Sequence, residues 1–334
     1  QHNGYNVSIL EKADRVGGRN ARIDLGNFKF DTGPTFLMMK FILDEMFDAV
    51  GRKTEDYLQT FKLDPMYKLY FPEFSLNIRT DLRDMKNDIA KLFPGEEDGI
   101  DKFLEVEEKR YKKLLPCLKI PYSKPQSMVS KHLLGALPIL SLGKSLYGVL
   151  GDYFKSEKLR LSFTFQSKYL GMSPWDCPGA FTIIPHVEHR EGIYHVMGGL
   201  SKISEAMAKV VKEDGGKIEL NCPVKQLILD GKKVIGLLLE DGRKLFADAV
   251  FLNSDFAHTM HNLVPEGSLK KYSRSKLKTM KYSCSTFMLY LGINKKVDLP
   301  HHNIRFSPTY KENVSDIFDR KVLHQDTAFY LHNP

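Results

Sequence analysis

The sequence predicts an α/β fold of two domains, one of them discontinuous along the chain, and three stretches carry that expectation. "VSIL" (residues 7–10) reads as a short buried strand, because branched aliphatic side chains suit a pleated surface covered on both faces. "LSKISEAMAKVVKEDGGKIEL" sets Leu200, Ile203, Met207 and Val210 or Val211 on one helical face, stops at Gly215-Gly216, and continues as a strand from Lys217 to Leu220. "VKQLIL", "KKVIGLLLE" and "RKLFA" alternate in polarity across Asp230-Gly231 and Asp241-Gly242, the pattern of a β-meander.

The remaining elements follow in order. "QHNGY" reads as a helix tail closing on Gly4. Gly26-Asn27 turns "ARIDL" back onto "FKF" as a hairpin, and the spacing of Phe41, Ile42, Met46, Phe47 and Val50 is helical. "MYKLYFPEFSLNIRT" reads as two strands around Pro72-Glu73, while "DLRDMKNDIAKLF" and "GIDKFLEVEEKRYKKLL" read as amphipathic helices. A strand over Ala249–Leu252 would deliver Asn253, Ser254 and Asp255 to its carboxyl end, and "STFMLYLGI" reads as one more buried strand.

With 334 residues, 42% hydrophobic and 27% charged, the chain has the makings of two globular domains. Its four cysteines are scattered without a Cys-x-x-Cys pair, which argues against a disulfide framework or a cysteine zinc site and for a reducing compartment. Nothing at its start reads as a signal peptide. The net charge of +8 is unevenly spread: no carboxylate occurs between Glu108 and Asp152, a stretch holding Lys109, Arg110, Lys112, Lys113, Lys119, Lys124, Lys131 and Lys144. Its second half, "MVSKHLLGALPILSLGKSLYGVL", is apolar but too interrupted for the ~20 apolar residues of a spanning helix. A buried helix behind a basic face, or a segment lying on an anionic membrane, both fit. Nucleic acid fits poorly, since stacking aromatics are not interleaved with the basic residues.

One constellation bears on chemistry. Glu11 stands where the carboxyl end of a strand in an open α/β sheet meets a nucleotide, and an acid there accepts hydrogen bonds from a ribose. Gly17, Gly18 and Arg19 follow; glycines admit close backbone approach to phosphate, and a guanidinium makes charge-assisted bonds to its oxygens. Asp-Thr-Gly-Pro closes the unit at 31–34. Gly-Gly-Arg alone would be an ordinary turn beside a solvated arginine, but the ordered set is far more specific.

On these residues, together with "LRLSFTFQSKYLGMSP", "GIYHVMGGLSKISEAMAKVVKEDGGKIELNCPVKQL" and "ADAVFLNSDFAH", the chain resembles the flavin-dependent carotenoid desaturases. These are the bacterial phytoene and diapophytoene desaturase family, within the wider amine-oxidase-like flavoprotein group. The resemblance implies a Rossmann-like FAD-binding domain over residues 1–36 and 196–258, and a mixed α+β substrate and membrane-docking domain over 37–195 and 259–334. It implies FAD as cofactor and an activity that introduces double bonds into a C30 or C40 carotenoid precursor, phytoene or dehydrosqualene. In that family a Gly-x-Gly-x-x-Gly turn precedes the first of these segments and a glycine-rich segment follows the last, so the chain is expected to be a fragment at both ends.

Carried over by position, Glu11 would bind the adenosine ribose with Lys12 alongside, and Gly17, Gly18 and Arg19 would approach the pyrophosphate. Gly33, Pro34 and Thr35 would lie beside the isoalloxazine, and Val224 would meet the adenine edge through its backbone, although a plain strand residue also explains it. For catalysis, Glu157 and Arg160 match a stretch of the family where acidic and basic residues have been suspected; a solvated helix start explains them equally well. His186, His189 and His195 qualify by residue type only. The first two lack a third ligand, so no metal is expected. A lipophilic polyene dissolves in the bilayer, so the resemblance favours a cytoplasmic enzyme docked peripherally on an anionic membrane surface through Lys109–Leu150, with oligomeric state left open. Rival readings are a flavin polyene saturase or isomerase of the retinol saturase branch, a flavin amine oxidase, and a non-catalytic lipid-binding relative.

Overall fold

A computed structural model describes residues 1–334. The chain forms two compact units: residues 1–35, 47–59 and 196–282 make the first, and residues 36–46, 60–195 and 283–334 the second.

In the first unit, β1 (Ser8–Leu10) runs parallel to β9 (Lys217–Glu219), with Ile9 opposite Ile218. β2 (Arg22–Leu25) and β3 (Phe28–Asp31) form the expected hairpin, and Gly26 takes the positive φ of 59° that the tight turn needs. β10 (Val224–Asp230), β11 (Lys233–Leu239) and β12 (Lys244–Phe246) make the antiparallel meander. α8 (Ser201–Glu213) buries Ala206 and Val210 and ends on Gly215, whose N–H donates to the Lys212 carbonyl. The C-terminal turn of α8 is held by Arg52 on Asp214 at 2.9 Å and by the Tyr57 hydroxyl donating to Glu213 at 2.5 Å. α9 (Phe256–His258) and α10 (Arg274–Thr279) complete this unit.

The second unit holds the main hydrophobic core. Its four-stranded sheet has the order β14 (Phe329–His332), β13 (His302–Arg305), β6 (Tyr67–Tyr70), β7 (Ser75–Ile78). Leu69, Leu76, Ile78 and Ile304 from it are buried with Met85 and Ile89 of α2 (Leu82–Leu92) and Ile100 and Phe103 of α3 (Gly99–Leu118). Asp81 caps α2 by accepting from the Asp84 N–H at 3.0 Å, satisfying one of the otherwise unpaired donors of its first turn. A small second sheet orders β4 (Leu37–Met38), β8 (Ile193–Val196) and β5 (Thr60–Lys62). Short helices α4 (Lys131–Ala136), α5 (Leu146–Leu150), α6 (Glu157–Leu161) and α11 (Tyr310–Ser315), with the longer α7 (Ile183–Glu191), fill the rest. Within α1 (Lys40–Asp48) the chain passes from the second unit to the first, between Met46 and Phe47.

Four local expectations are corrected. β1 is not covered on both faces, and Ile9 is 39% exposed, because β1 has β9 as its one neighbour. Gln1–Tyr5 forms a turn, with the Gly4 N–H donating to the Gln1 carbonyl, and not a helix tail. Residues 249–252 and 285–293 form no strand, and Phe251 and Phe287 are 94% and 90% exposed. Both sequences have strand propensity, but no neighbouring strand lies alongside to take their backbone hydrogen bonds, and propensity does not replace that pairing.

Candidate functional site

The Val7–Pro34 constellation folds into a single interlocked corner of the first unit. Gly17 has φ 122° and Gly18 φ 55°, so the chain reverses sharply into the one-turn helix Gly18–Asn20. A Cβ on Gly17 would fall 2.9 Å from the Ala21 nitrogen, and one on Gly33 only 2.1 Å from the Arg19 carbonyl oxygen. The two glycine motifs are therefore two halves of one backbone contact. Thr32 reinforces it, its hydroxyl donating to the Ala21 carbonyl at 2.7 Å.

The same corner grips the start of α8. The Asp31 carboxylate accepts from the Leu200 N–H at 3.0 Å and from the Ser201 N–H at 3.4 Å. Asp31 thus occupies the positive end of the α8 dipole. Gly199 has φ 94°, and a Cβ there would lie 2.7 Å from Asp31 Oδ1. Asn20 Nδ2 donates to the Leu200 carbonyl at 2.8 Å and to Ser204 Oγ at 3.0 Å, and Arg22 pairs with Glu205 at 3.0 Å. Sequence reading missed this role of Asp31 and Asn20; the signal was the Gly-Gly pair before α8, which leaves room for a carboxylate.

Glu11 follows the end of β1. Its Oε1 accepts from the Ala13 N–H at 2.8 Å, while its backbone ties to the strand beside it: Glu11 N–H to the Glu219 carbonyl and Cys222 N–H to the Glu11 carbonyl, both at 2.9 Å. Val224 begins β10 two residues beyond Cys222, next to a register shift. Lys12 is exposed. The Arg19 side chain is 86% exposed and pairs with Asp255 at 2.6 Å. Asp255 also caps α9, accepting from the His258 N–H at 3.0 Å; that amide and the Arg19 guanidinium hold its carboxyl below the usual range. Gly33 and Pro34 are exposed and Thr35 is half-buried.

This donor set suits a dinucleotide. It offers one carboxylate oxygen, Glu11 Oε2, to which the chain itself makes no hydrogen bond, a solvent-facing guanidinium, and an exposed glycine, Gly18, with open space where a Cβ would stand.

In the second unit, Glu157 is exposed in the first turn of α6. Arg160 is committed to the chain: Nε donates to the Phe154 carbonyl at 2.8 Å and Nη2 to the Lys155 carbonyl at 2.9 Å, with the guanidinium 5.6 Å from the Tyr147 ring centroid. His186 bonds Glu108 at 3.1 Å, and burial lowers its affinity for a proton despite that carboxylate. His189 bonds the Arg79 carbonyl at 2.9 Å, and burial pushes it down to about 4. Between them Glu188 is fully buried. It accepts from Tyr67 at 2.9 Å, Gln166 at 2.5 Å and Tyr169 at 3.2 Å, yet burial outweighs these bonds and raises it to about 7. No sequence pattern marked Glu188, whose partners lie 19 to 121 residues away.

The basic stretch is more neutral than its sequence suggests. Lys109, Lys112, Lys119 and Lys144 pair with Glu105, Glu108, Glu45 and Asp152 at 2.7, 3.2, 3.3 and 2.8 Å. Arg110 is buried, donating to the Ile139 carbonyl at 2.5 Å and to Ser141 Oγ at 3.0 Å. Lys113, Lys124 and Lys131 have no carboxylate partner, and Met128, Val129 and Leu142 of the same stretch are 56%, 67% and 76% exposed. No helix is long and apolar enough to cross a membrane. All four cysteines are free thiols.

Residues 1–310 match the model of the flavin containing amine oxidoreductase family. The chain is 48% identical over 330 residues to a 4,4'-diapophytoene desaturase (4,4'-diapolycopene-forming) of Methylomonas sp, across 99% of this chain and 65% of that protein. It is 31% identical over 338 residues to a 4,4'-diapophytoene desaturase (4,4'-diaponeurosporene-forming) of Staphylococcus haemolyticus, across 99% of this chain and 67% of that one. The chain thus spans about two thirds of the length of the curated relatives it matches. Its fold is similar to the crystal structure of a Pyrococcus furiosus protein, with TM-score 0.57 and 13% identity over 99% of this chain and 74% of that one.

Proposed function

Because the chain belongs to the flavin-containing amine oxidoreductase family, among the diapophytoene and phytoene desaturases, we propose that the intact protein is an FAD-dependent desaturase of a lipophilic carotenoid precursor such as 4,4'-diapophytoene. The observation that carries this reading is the 48% identity maintained over 99% of the chain. Bound FAD would supply the two-electron oxidation that forming a carbon–carbon double bond requires.

The chain's own part is binding and placement. Glu11 Oε2 would accept from a ribose hydroxyl, and its charge would disfavour a 2′-phosphate. Arg19 would turn from Asp255 toward the pyrophosphate; an exposed ion pair is weak enough to give way to a doubly charged ligand. Gly17 and Gly18 would leave their backbone accessible, Gly33, Pro34 and Thr35 would border the ring, and the Val224 backbone would meet the adenine. Glu157 is retained as an acid–base group to test, and Arg160 as the residue that holds the turn before it.

The partner surface is an anionic bilayer at the cytoplasmic face. Lys113, Lys124 and Lys131 would meet headgroups while Met128, Val129 and Leu142 enter the interface, a monotopic attachment that a polyene dissolved in lipid calls for.

The test of the cofactor reading is FAD released from purified intact protein. One equivalent per chain supports it. Glu11→Gln and Arg19→Ala should each weaken FAD binding about tenfold or more, the effect of losing a charge-assisted bond worth about 1.5–3 kcal/mol. Equal FAD retention by both variants and the unmodified protein would refute the assignment of these residues.

A further inference from the structure

We propose that His195, His301 and His332 form a binding site for a divalent first-row transition-metal ion of the Zn2+ type. One ligating nitrogen from each lies within 4.8 Å of the other two. They arrive from separate elements: His195 from β8, His301 from the residue before β13, and His332 from the end of β14. The β13–β14 pairing sets the last two, since His302 lies opposite His332 and the Asn333 N–H donates to the His301 carbonyl at 2.9 Å. The site would therefore join the four-stranded sheet to the small sheet inside the second unit.

The chemistry of the cluster selects a metal of this class. Nε2 of His301 and Nε2 of His332 are buried and take no hydrogen bond. Behind His301 runs a chain that couples its tautomer to that of His302: His301 Nδ1 lies 3.0 Å from His302 Nε2, and His302 Nδ1 lies 2.6 Å from the Tyr330 hydroxyl. With each Nδ1 as donor along that chain, His301 Nε2 carries a lone pair, as a ligating histidine oriented from its other nitrogen does. The His302 ring stacks on His332 at 5.1 Å, and the His195 and His301 centroids are 4.4 Å apart. Three imidazoles with no carboxylate or thiolate suit Zn2+, Ni2+ or Cu2+ and not Mg2+ or Ca2+. Zn–N bonds of about 2.0–2.1 Å require each nitrogen to close in by about 1 Å or less, within reach of ring rotation, and leave a fourth position to water.

The test uses the purified protein after chelator treatment and desalting. Titration with Zn2+ against a chromophoric chelator should give one ion per chain with Kd of about 1 µM or tighter, undisturbed by excess Mg2+. His301→Ala and His332→Ala should each weaken Zn2+ at least about tenfold, and His302→Phe about 10- to 100-fold through loss of the orienting bond. His132→Ala, distant in sequence from the cluster, should leave the affinity unchanged. X-ray absorption at the Zn edge of the unmodified protein needs no variant to fold, and should show three imidazole nitrogens. Zn2+ held with equal affinity by the His301→Ala and His332→Ala proteins, fewer than three imidazoles at the metal, or no stoichiometric Zn2+ at all would each overturn the proposal.

Discussion

A methyl group at Gly33 would sit 2.1 Å from the Arg19 carbonyl, and backbone on both sides leaves no flexible side chain to yield. Gly33→Ala should therefore separate the two glycine motifs, destabilising the protein by about 1–3 kcal/mol and weakening FAD binding, as read by thermal melting and FAD release. Gly231→Ala, with φ 58° and nothing within 4 Å, carries the backbone strain without the collision and should retain FAD. Glu188 supplies a pH-dependent prediction. Its folded value of about 7 lies above the ordinary glutamate range near 4.5, so its contribution is fully present below pH 4.5 and is lost as pH rises through 7. Glu188→Gln removes that dependence. The stability difference, variant minus unmodified, should shift in the variant's favour between pH 5 and pH 8 by on the order of 3 kcal/mol. Denaturant melts at the two pH values decide it, and a difference independent of pH would show that Glu188 ionises normally.

Elements whose signal is local were readable from the sequence. The Gly26-Asn27 hairpin, the meander punctuated by Asp-Gly, the α8 helix ending on Gly215 and the β6–β7 pair around Pro72-Glu73 all form. Those that depend on a neighbour were not. Residues 249–252 and 285–293 have the composition of strands without the pairing, and Lys109 and Lys112 of α3 spend their charge on Glu105 and Glu108 one turn earlier. That pairing changes which residues should act at a membrane. Replacing Lys113, Lys124 and Lys131 with glutamate should reduce sedimentation with anionic liposomes, each lysine being worth about 1 kcal/mol in a term that salt screens. Serine at Met128, Val129 and Leu142 should instead remove the binding that survives high salt. Equal partitioning of all three proteins at low salt would contradict docking through this segment.

For the molecule as a whole, the sequence revealed the kind of chemistry better than the company each residue keeps. Glu11, Gly17, Gly18, Arg19 and Gly33 lie within one 28-residue window, and their ordered spacing is what pointed to a dinucleotide there. Asp255 meets Arg19 from 236 residues away, and His195 meets His301 and His332 from 106 and 137 residues away, separations that spacing along a chain cannot signal. The proposed activity of the intact protein is oxidation of a polyene at a carbon–carbon bond. The most direct measurement is product analysis after the intact, FAD-loaded protein is incubated with 4,4'-diapophytoene in anionic liposomes. Polyenes with progressively longer conjugation are expected, each step marked by the loss of two hydrogen atoms and absorption at longer wavelength. Substrate recovered unchanged from protein carrying one FAD per chain would contradict the proposed activity.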